Sequence, residues 1–162
     1  MEINDEPWEW CARHVPVAFD LFTNCKSLFY STAIHEASHA VLNEHFGYRV
    51  KSVQANGKTG VTEIEPAKQD PAHVIVIAHA GYIGSLQVVN NRYAYADAND
   101  DRGMINSVFD AEKMEIKQVR ELYRMCEELV EQNWKKIQAV ANALAKKGIL
   151  SGDEVRAVIR DE

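Results

Sequence analysis

The chain has few cysteines, no long apolar segment and no excess of basic residues, and each shortage excludes a class of protein. Its three cysteines, Cys11, Cys25 and Cys126, are odd in number and widely spaced. They match neither a disulfide framework nor a C-x-x-C zinc site, so we expect buried free thiols in a reducing compartment. The longest apolar run, residues 74–78, is too short to cross a bilayer. A net charge of −6 argues against a nucleic-acid or anionic-membrane surface, since both require a basic patch.

The first 30 residues differ in composition from the rest. They open with three acidic residues among the first six, so no secretory signal is expected and we predict a cytoplasmic protein. Aromatic side chains such as Trp8 and Trp10 are frequent there, and we expect them to complete the core, with a docking surface as the alternative. The chain is predicted to form one domain, residues 1–162, with an N-terminal extension (1–30) and a core (31–162).

The most informative segment is His35-Glu36-Ala37-Ser38-His39, an H-E-x-x-H sequence inside a helical pattern. Residues four apart on an α-helix lie about 40° apart around its axis and roughly 6 Å along it, so two imidazoles can reach one zinc ion. Glu36 projects from the adjacent face, where a carboxylate can act as a base toward a water beside the metal. We therefore predict His35 and His39 as zinc ligands and Glu36 as the catalytic base.

The residues around this segment predict a helix followed by a small sheet. Ser31 or Thr32 is the predicted N-cap of the helix, and Gly47 is predicted to end it. Two extended runs, residues 48–55 and 61–65, lie on either side of an Asn-Gly turn. They predict a β-hairpin or meander.

The second half of the chain predicts mainly helices. Asp70-Pro71 is typical of a helix start, and the helix is predicted to end near residue 89. After a polar loop at residues 92–99, two or more helices are predicted to extend to Gly148. A capping box that begins at Ser151 opens a short last helix. The predicted fold class is therefore α+β, mainly α.

A catalytic zinc usually has three protein ligands and one open position, so the two histidines need a partner. Three further histidines are poor candidates. His45 lies well round the helix from the predicted pair, and His73 and His79 do not share a face of their helix. We expect His73 and His79 to be buried and hydrogen-bonded to backbone carbonyls.

Asp97, Asp100 and Asp101 are better candidates for the third ligand. They lie at the start of a predicted helix, where the N-terminal dipole alone also favours acidic residues. If Asp101 opens that helix, its side chain points to the same interior as a set of apolar residues at helical spacing. That set is Met104, Ile105, Val108 and Phe109.

Five segments, in this order and at this spacing, resemble the peptidase domain of the FtsH-type proteases, which are membrane-anchored AAA+ zinc metalloproteases. Residues 32–41 are similar to that family's A-x-H-E-A-G-H-A helix. The other four segments resemble its hairpin, its G-G-x-A-A-E helix, its G-A-x-x-D ligand motif and its closing L-x-G-x-E-[IV] turn. They are residues 50–53 together with 60–66, residues 80–84, residues 97–101 and residues 150–155.

The resemblance covers roughly residues 28–160 and implies a helical zincin-like bundle. By this resemblance His35 and His39 bind zinc and Glu36 is the general base. Asp101 falls on the family's third zinc ligand, with Asp100 as the alternative after a one-residue slip.

Three departures from the family pattern limit what carries over. Ser38 replaces a glycine of the zinc helix, and serine is small enough to be tolerated there. The family's glutamate beside a ligand histidine falls at Ser85, and losing such a carboxylate typically costs about 10–100-fold in affinity or activity. The sequence has neither a G-x-x-x-x-G-K-[ST] phosphate-binding loop nor a membrane-spanning run, so the family's ATPase is absent from it.

These features together predict a Zn²⁺-dependent metalloendopeptidase that hydrolyses unfolded polypeptides or short peptides without ATP. Residues 61–65 are expected to offer a strand edge to which a peptide can add. The alternative is a catalytically weak or inactive zinc-containing adaptor that binds peptides or a partner protein, such as a separate ATPase. A purely structural helical domain with an accidental motif is the third possibility.

Overall fold

The computed structural model describes residues 27–56, 59–89 and 91–162 of the chain. These residues form a mainly helical α+β fold, as predicted, with a small three-stranded antiparallel sheet. In chain order the elements are α1 (Ser27–His45), β1 (Val50–Ala55), β2 (Gly60–Ile64), α2 (Pro71–Leu86), α3 (Asn91–Asp97), α4 (Asn99–Glu112), α5 (Ile116–Gln132), α6 (Trp134–Lys147), β3 (Ile149–Ser151) and α7 (Gly152–Arg160).

Helix α1 is the central element of the fold. Its residues 31–43 are all buried, and it packs against α2, α6 and the sheet. Three alanines at this interface, Ala33, Ala37 and Ala40, are fully buried. Because their side chains are small, the neighbouring backbones can approach the helix closely. The segment with the two histidines is therefore packed closely between α2, α6 and the sheet.

The start of α1 differs from the prediction, whereas its end agrees. The helix begins at Ser27, so Ser31 and Thr32 lie inside it and neither is its N-cap. Residues 27–30 contain no proline or glycine, so nothing in them stops the helix from extending upstream. At the other end, Gly47 adopts a φ of 81°, a left-handed conformation that favours glycine, just after the helix ends.

The sheet contains the predicted hairpin and one strand that was not predicted. Strands β1 and β2 pair antiparallel, and β3 pairs with the other side of β1, giving the order β2-β1-β3. With only three residues, β3 is too short for a recognisable alternation. Strand β2 lies at an edge of the sheet, and its residues alternate between half-buried and exposed.

Helix α2 starts as predicted, but the polar loop predicted after it is helical. The Asp70 side chain accepts a hydrogen bond from the Ala72 backbone N–H at 2.8 Å, and α2 ends at Leu86 rather than near residue 89. The predicted loop at residues 92–99 was wrong, since α3 occupies most of it. Ala94 and Ala98 are buried and lie four residues apart, so they share a helix face. Packing on α2 stabilises this short helix.

The C-terminal elements follow the predicted signals. Gly148 has a φ of 76° and ends α6, and the Ser151–Glu154 capping box opens α7. Cys126 is buried with a free thiol, as expected, whereas Cys11, Cys25 and residues 1–26 of the predicted extension lie outside the described residues. No helix in the described part of the chain combines the length and apolar character needed to cross a membrane.

Candidate metal centre

His35 and His39 lie one turn apart on α1, on the same face of the helix. Their ring centroids are 4.7 Å apart and the rings are nearly perpendicular, at 80°. Both residues are buried, with 5 % and 8 % of their surface exposed. The spacing read from the sequence therefore places two imidazoles side by side in a region that excludes most water.

A backbone hydrogen bond orients the ring of His39. Its Nδ1 lies 2.8 Å from the carbonyl oxygen of Ile77 on α2. Because a carbonyl oxygen can only accept, Nδ1 carries the proton and donates it. The other ring nitrogen, Nε2, faces Asp101 at 3.4 Å. This is the tautomer and orientation that a metal-ligating histidine requires.

Asp101 reaches the two histidines from the first turn of α4. Its Oδ2 lies 2.9 Å from His35 Nε2 and 3.4 Å from His39 Nε2. Asp100, the alternative left open by the sequence, is exposed and belongs to no such group. Asp101, the aspartate that the helix register favours, is thus the one that lies against the histidines, although Met104 of the predicted buried stripe is 51 % exposed.

The three side chains fit a zinc ion. One ligand atom from each of His35, His39 and Asp101 lies within 4.8 Å of the others. Two nitrogens and one carboxylate oxygen are a common donor set for zinc. Tetrahedral zinc with bonds of about 2.0–2.1 Å places neighbouring ligand atoms roughly 3.3 Å apart, close to the separations involving Asp101. Their role as zinc ligands stays a prediction.

Asp101 and His39 each shift the pKa of the other toward its charged form. Burial alone would raise the pKa of Asp101, but hydrogen bonds from His35 and His39 and their positive charge hold that pKa well below its usual range. Burial would lower the pKa of His39, whereas its hydrogen bond to Asp101, with the nearby carboxylate charges, raises it to about 9. A carboxylate and an imidazolium thus neutralise each other here, and a metal cation would take the place of the proton on His39 Nε2.

Glu36 is buried beside the pair and held by strand β2. Only 6 % of its surface is exposed. Thr62 donates a hydrogen bond from Oγ1 to Glu36 Oε2 at 2.8 Å. The Glu36 side chain also lies against Gly60, where an added Cβ would come within 2.6 Å of Oε1. Sequence reasoning missed both contacts, because alternation along β2 predicts an inward face but not its partner.

These residues line an open cleft of about 550 Å³ between α1, β2, α2 and the α3–α4 segment. Residues 60–62 and Ile64 of strand β2 line the cleft, and so do Asp97, Asp100 and Met104 of the α3–α4 segment. A cleft of this volume can hold several side chains of a bound peptide, which is far more than a single metal ion occupies.

Nδ1 of His35, the ring nitrogen that does not contact Asp101, has two oxygen neighbours. Ser85 Oγ lies 3.4 Å from Nδ1, and Asp97 Oδ2 lies 3.8 Å from it. Ser85 occupies the position where the resemblance expects a glutamate. A hydroxyl group therefore replaces that carboxylate, while Asp97 brings another carboxylate to the same nitrogen from α3.

The other three histidines of the described residues do not join this group. His73 is hydrogen-bonded to the Tyr48 hydroxyl at 2.9 Å, and the His79 ring stacks on Tyr123 at 3.9 Å. His73 is thus bonded to a side chain rather than to a backbone carbonyl, and both histidines are half-buried rather than buried, so these expectations were wrong. His45 is exposed.

No protein-family model matches the chain, and no curated protein matches it either. The resemblance to FtsH-type peptidase domains therefore depends on the motifs and their spacing alone and stays a prediction.

Proposed function

We propose that this protein is a zinc-dependent metallopeptidase of the FtsH peptidase type. The observation that supports this most strongly is the convergence of His35, His39 and Asp101 from two helices. Glu36 lies beside them in the same open cleft. A group of metal ligands, a carboxylate base and room for a substrate are the parts that metal-assisted hydrolysis requires.

Each residue has a distinct role in the proposed reaction. His35, His39 and Asp101 would hold the zinc ion, which when bound supplies a Lewis acid that polarises the scissile carbonyl and acidifies water. Glu36 takes a proton from the attacking water and passes it to the leaving amine. The burial of Glu36 keeps this proton transfer away from bulk solvent.

Strand β2 is the proposed substrate-binding edge. In the order β2-β1-β3, its outer side pairs with no strand among the described residues. Residues of β2 line the cleft, so a peptide added to this edge would pass beside Glu36. Only an extended chain can pair in this way, so we expect unfolded polypeptides or short peptides as substrates. The sequence has no phosphate-binding loop, so cleavage by this chain is expected to need no ATP.

The test uses a Glu36→Gln variant with a reduced and alkylated, fluorescently labelled protein as substrate. We expect the variant to keep its zinc and to lose at least about 100-fold in cleavage rate, the usual contribution of a general base. Glu121→Gln, the same change at an exposed position of α5, is the matched control and is expected to cleave at the wild-type rate. Cleavage by Glu36→Gln at the wild-type rate would refute the assigned role.

A zinc-containing adaptor is the second candidate function, because the neutral Ser85 replaces a carboxylate beside His35. Saturable binding of an unfolded peptide by the wild-type protein, with no cleavage, would favour it. Under either function we propose a cytoplasmic protein with peptides or unfolded proteins as partners, and a separate ATPase as a further partner.

A further inference from the structure

Thr62 connects the edge strand of the sheet to the proposed catalytic base. Its Oγ1 lies 2.8 Å from Glu36 Oε2 and 3.1 Å from the Glu36 backbone carbonyl oxygen. A threonine hydroxyl has one proton, so it donates to one of these oxygens at a time. Both acceptors belong to Glu36, which means that the hydroxyl fixes this residue's side chain relative to its own backbone.

A second contact on the same strand restricts Glu36 from another direction. Gly60 and Thr62 both belong to the half-buried set of β2 residues that faces α1. A Cβ at position 60 would lie 2.6 Å from Glu36 Oε1 and 2.7 Å from its Cδ, distances that real Cβ atoms do not show. The Glu36 carboxyl group therefore lies between a backbone wall at Gly60 and a hydrogen-bond donor at Thr62.

We propose that Thr62 is a positioning residue for Glu36, through which strand β2 sets the orientation of the base. This role rests on the proposed peptidase function. With Oε2 accepting from Thr62, Oε1 is left to take the proton from the attacking water. The strand that supplies this hydroxyl is also the strand to which a peptide would add. A bound peptide is thereby placed in a fixed relation to the carboxylate that acts on it.

The first test compares Thr62→Val and Thr62→Ser by kinetics on the same labelled, unfolded protein. Thr62→Val keeps the shape of the side chain but removes the donor, so we expect kcat to fall by at least about ten-fold, with KM changing less than about two-fold. Thr62→Ser retains the hydroxyl and is expected to restore kcat. Ser52→Ala is the matched control. It removes the hydrogen bond from the Ser52 hydroxyl to the exposed Glu63 carboxylate in the same hairpin, and we expect it to leave kcat unchanged.

The second test does not depend on cleavage. In the zinc-free protein, the unfolding equilibrium of wild type, Thr62→Val, Glu36→Ala and the double variant gives the coupling between the two side chains. We expect Thr62→Val to shift this equilibrium on the order of five-fold in the wild type and less in the Glu36→Ala background, where only the backbone carbonyl of residue 36 remains as an acceptor. Zinc affinity, measured by competition with a chelator, is expected to be the same in Thr62→Val as in wild type.

Gly60→Ala is an independent variant that displaces the Glu36 carboxylate without changing Thr62. It tests whether strand β2 orients the base even if Thr62→Val does not fold. We expect it to lower kcat while zinc affinity stays unchanged. An unchanged kcat in folded Thr62→Val, or an equal stability change in both backgrounds, would overturn the role of Thr62 alone. A wild-type protein that cleaves nothing would overturn the peptidase function and this role with it.

Discussion

Gly81 of α2 lies directly against the imidazole ring of His35. A Cβ at position 81 would come within 2.5 Å of His35 Nε2, the ring nitrogen that faces Asp101. Distances this short do not occur for real Cβ atoms, so any side chain at position 81 must displace the ring. The packing of α2 on α1 therefore leaves room for the ring of this proposed ligand only because residue 81 has no side chain.

Gly81→Ala is accordingly expected to weaken zinc binding by at least about ten-fold, because it moves His35 away from Asp101. Competition with a fluorescent zinc chelator measures the affinity. Gly103→Ala in α4 is the matched control, since no atom lies within 4 Å of the added methyl group. We expect the control to retain zinc and to gain about 0.5–1 kcal/mol in unfolding free energy, because alanine favours helix. Equal zinc affinity in the two variants would contradict the proposed ligand position.

Asp97 is expected to strengthen zinc binding through His35. When Nε2 binds a metal, Nδ1 carries the proton, and a nearby carboxylate makes the imidazole a better ligand. Asp97→Asn removes the charge but keeps the size of the side chain, so we expect zinc affinity to fall by about ten-fold. Asp100→Asn makes the same charge change at an exposed neighbouring position. The same loss in both variants would show a general charge effect and exclude a specific role for Asp97.

Cys126 is expected to react very slowly with thiol reagents in the folded protein. Burial raises the pKa of its thiol to about 12, which lowers the population of the reactive thiolate on the order of a thousandfold at neutral pH. The reaction is followed by absorbance in a Cys11→Ser/Cys25→Ser background, with and without denaturant. A rate in the folded protein equal to that in denaturant would show that the thiol is accessible and contradict its burial.

The sequence predicts those parts of the site that depend on residues close to one another along the chain. The i, i+4 spacing on one helix is enough to place His35 and His39 on a common face, with Glu36 beside them. The register of the following helix is enough to prefer Asp101 over Asp100, even though Ile105 is the only buried member of the predicted stripe.

The parts that were missed depend on packing between distant segments. The hydrogen bond from His39 to the Ile77 carbonyl and the one from Thr62 to Glu36 join residues 38 and 26 positions apart. No pattern in the sequence around Ile77 or Thr62 predicts that these residues contact the helix with the two histidines. The sequence likewise predicts a loop where α3 forms, because the stability of this helix comes from burying Ala94 and from packing on α2 rather than from a strong local pattern.

The most direct measurement is the zinc content of the purified protein beside its Asp101→Ala and Asp100→Ala variants. We predict one zinc per chain in the wild type and in Asp100→Ala, because Asp101 alone of the two contacts the histidines. We predict no stoichiometric zinc in Asp101→Ala. A wild-type protein without zinc, or an Asp101→Ala variant that keeps it, would contradict the proposed metal centre.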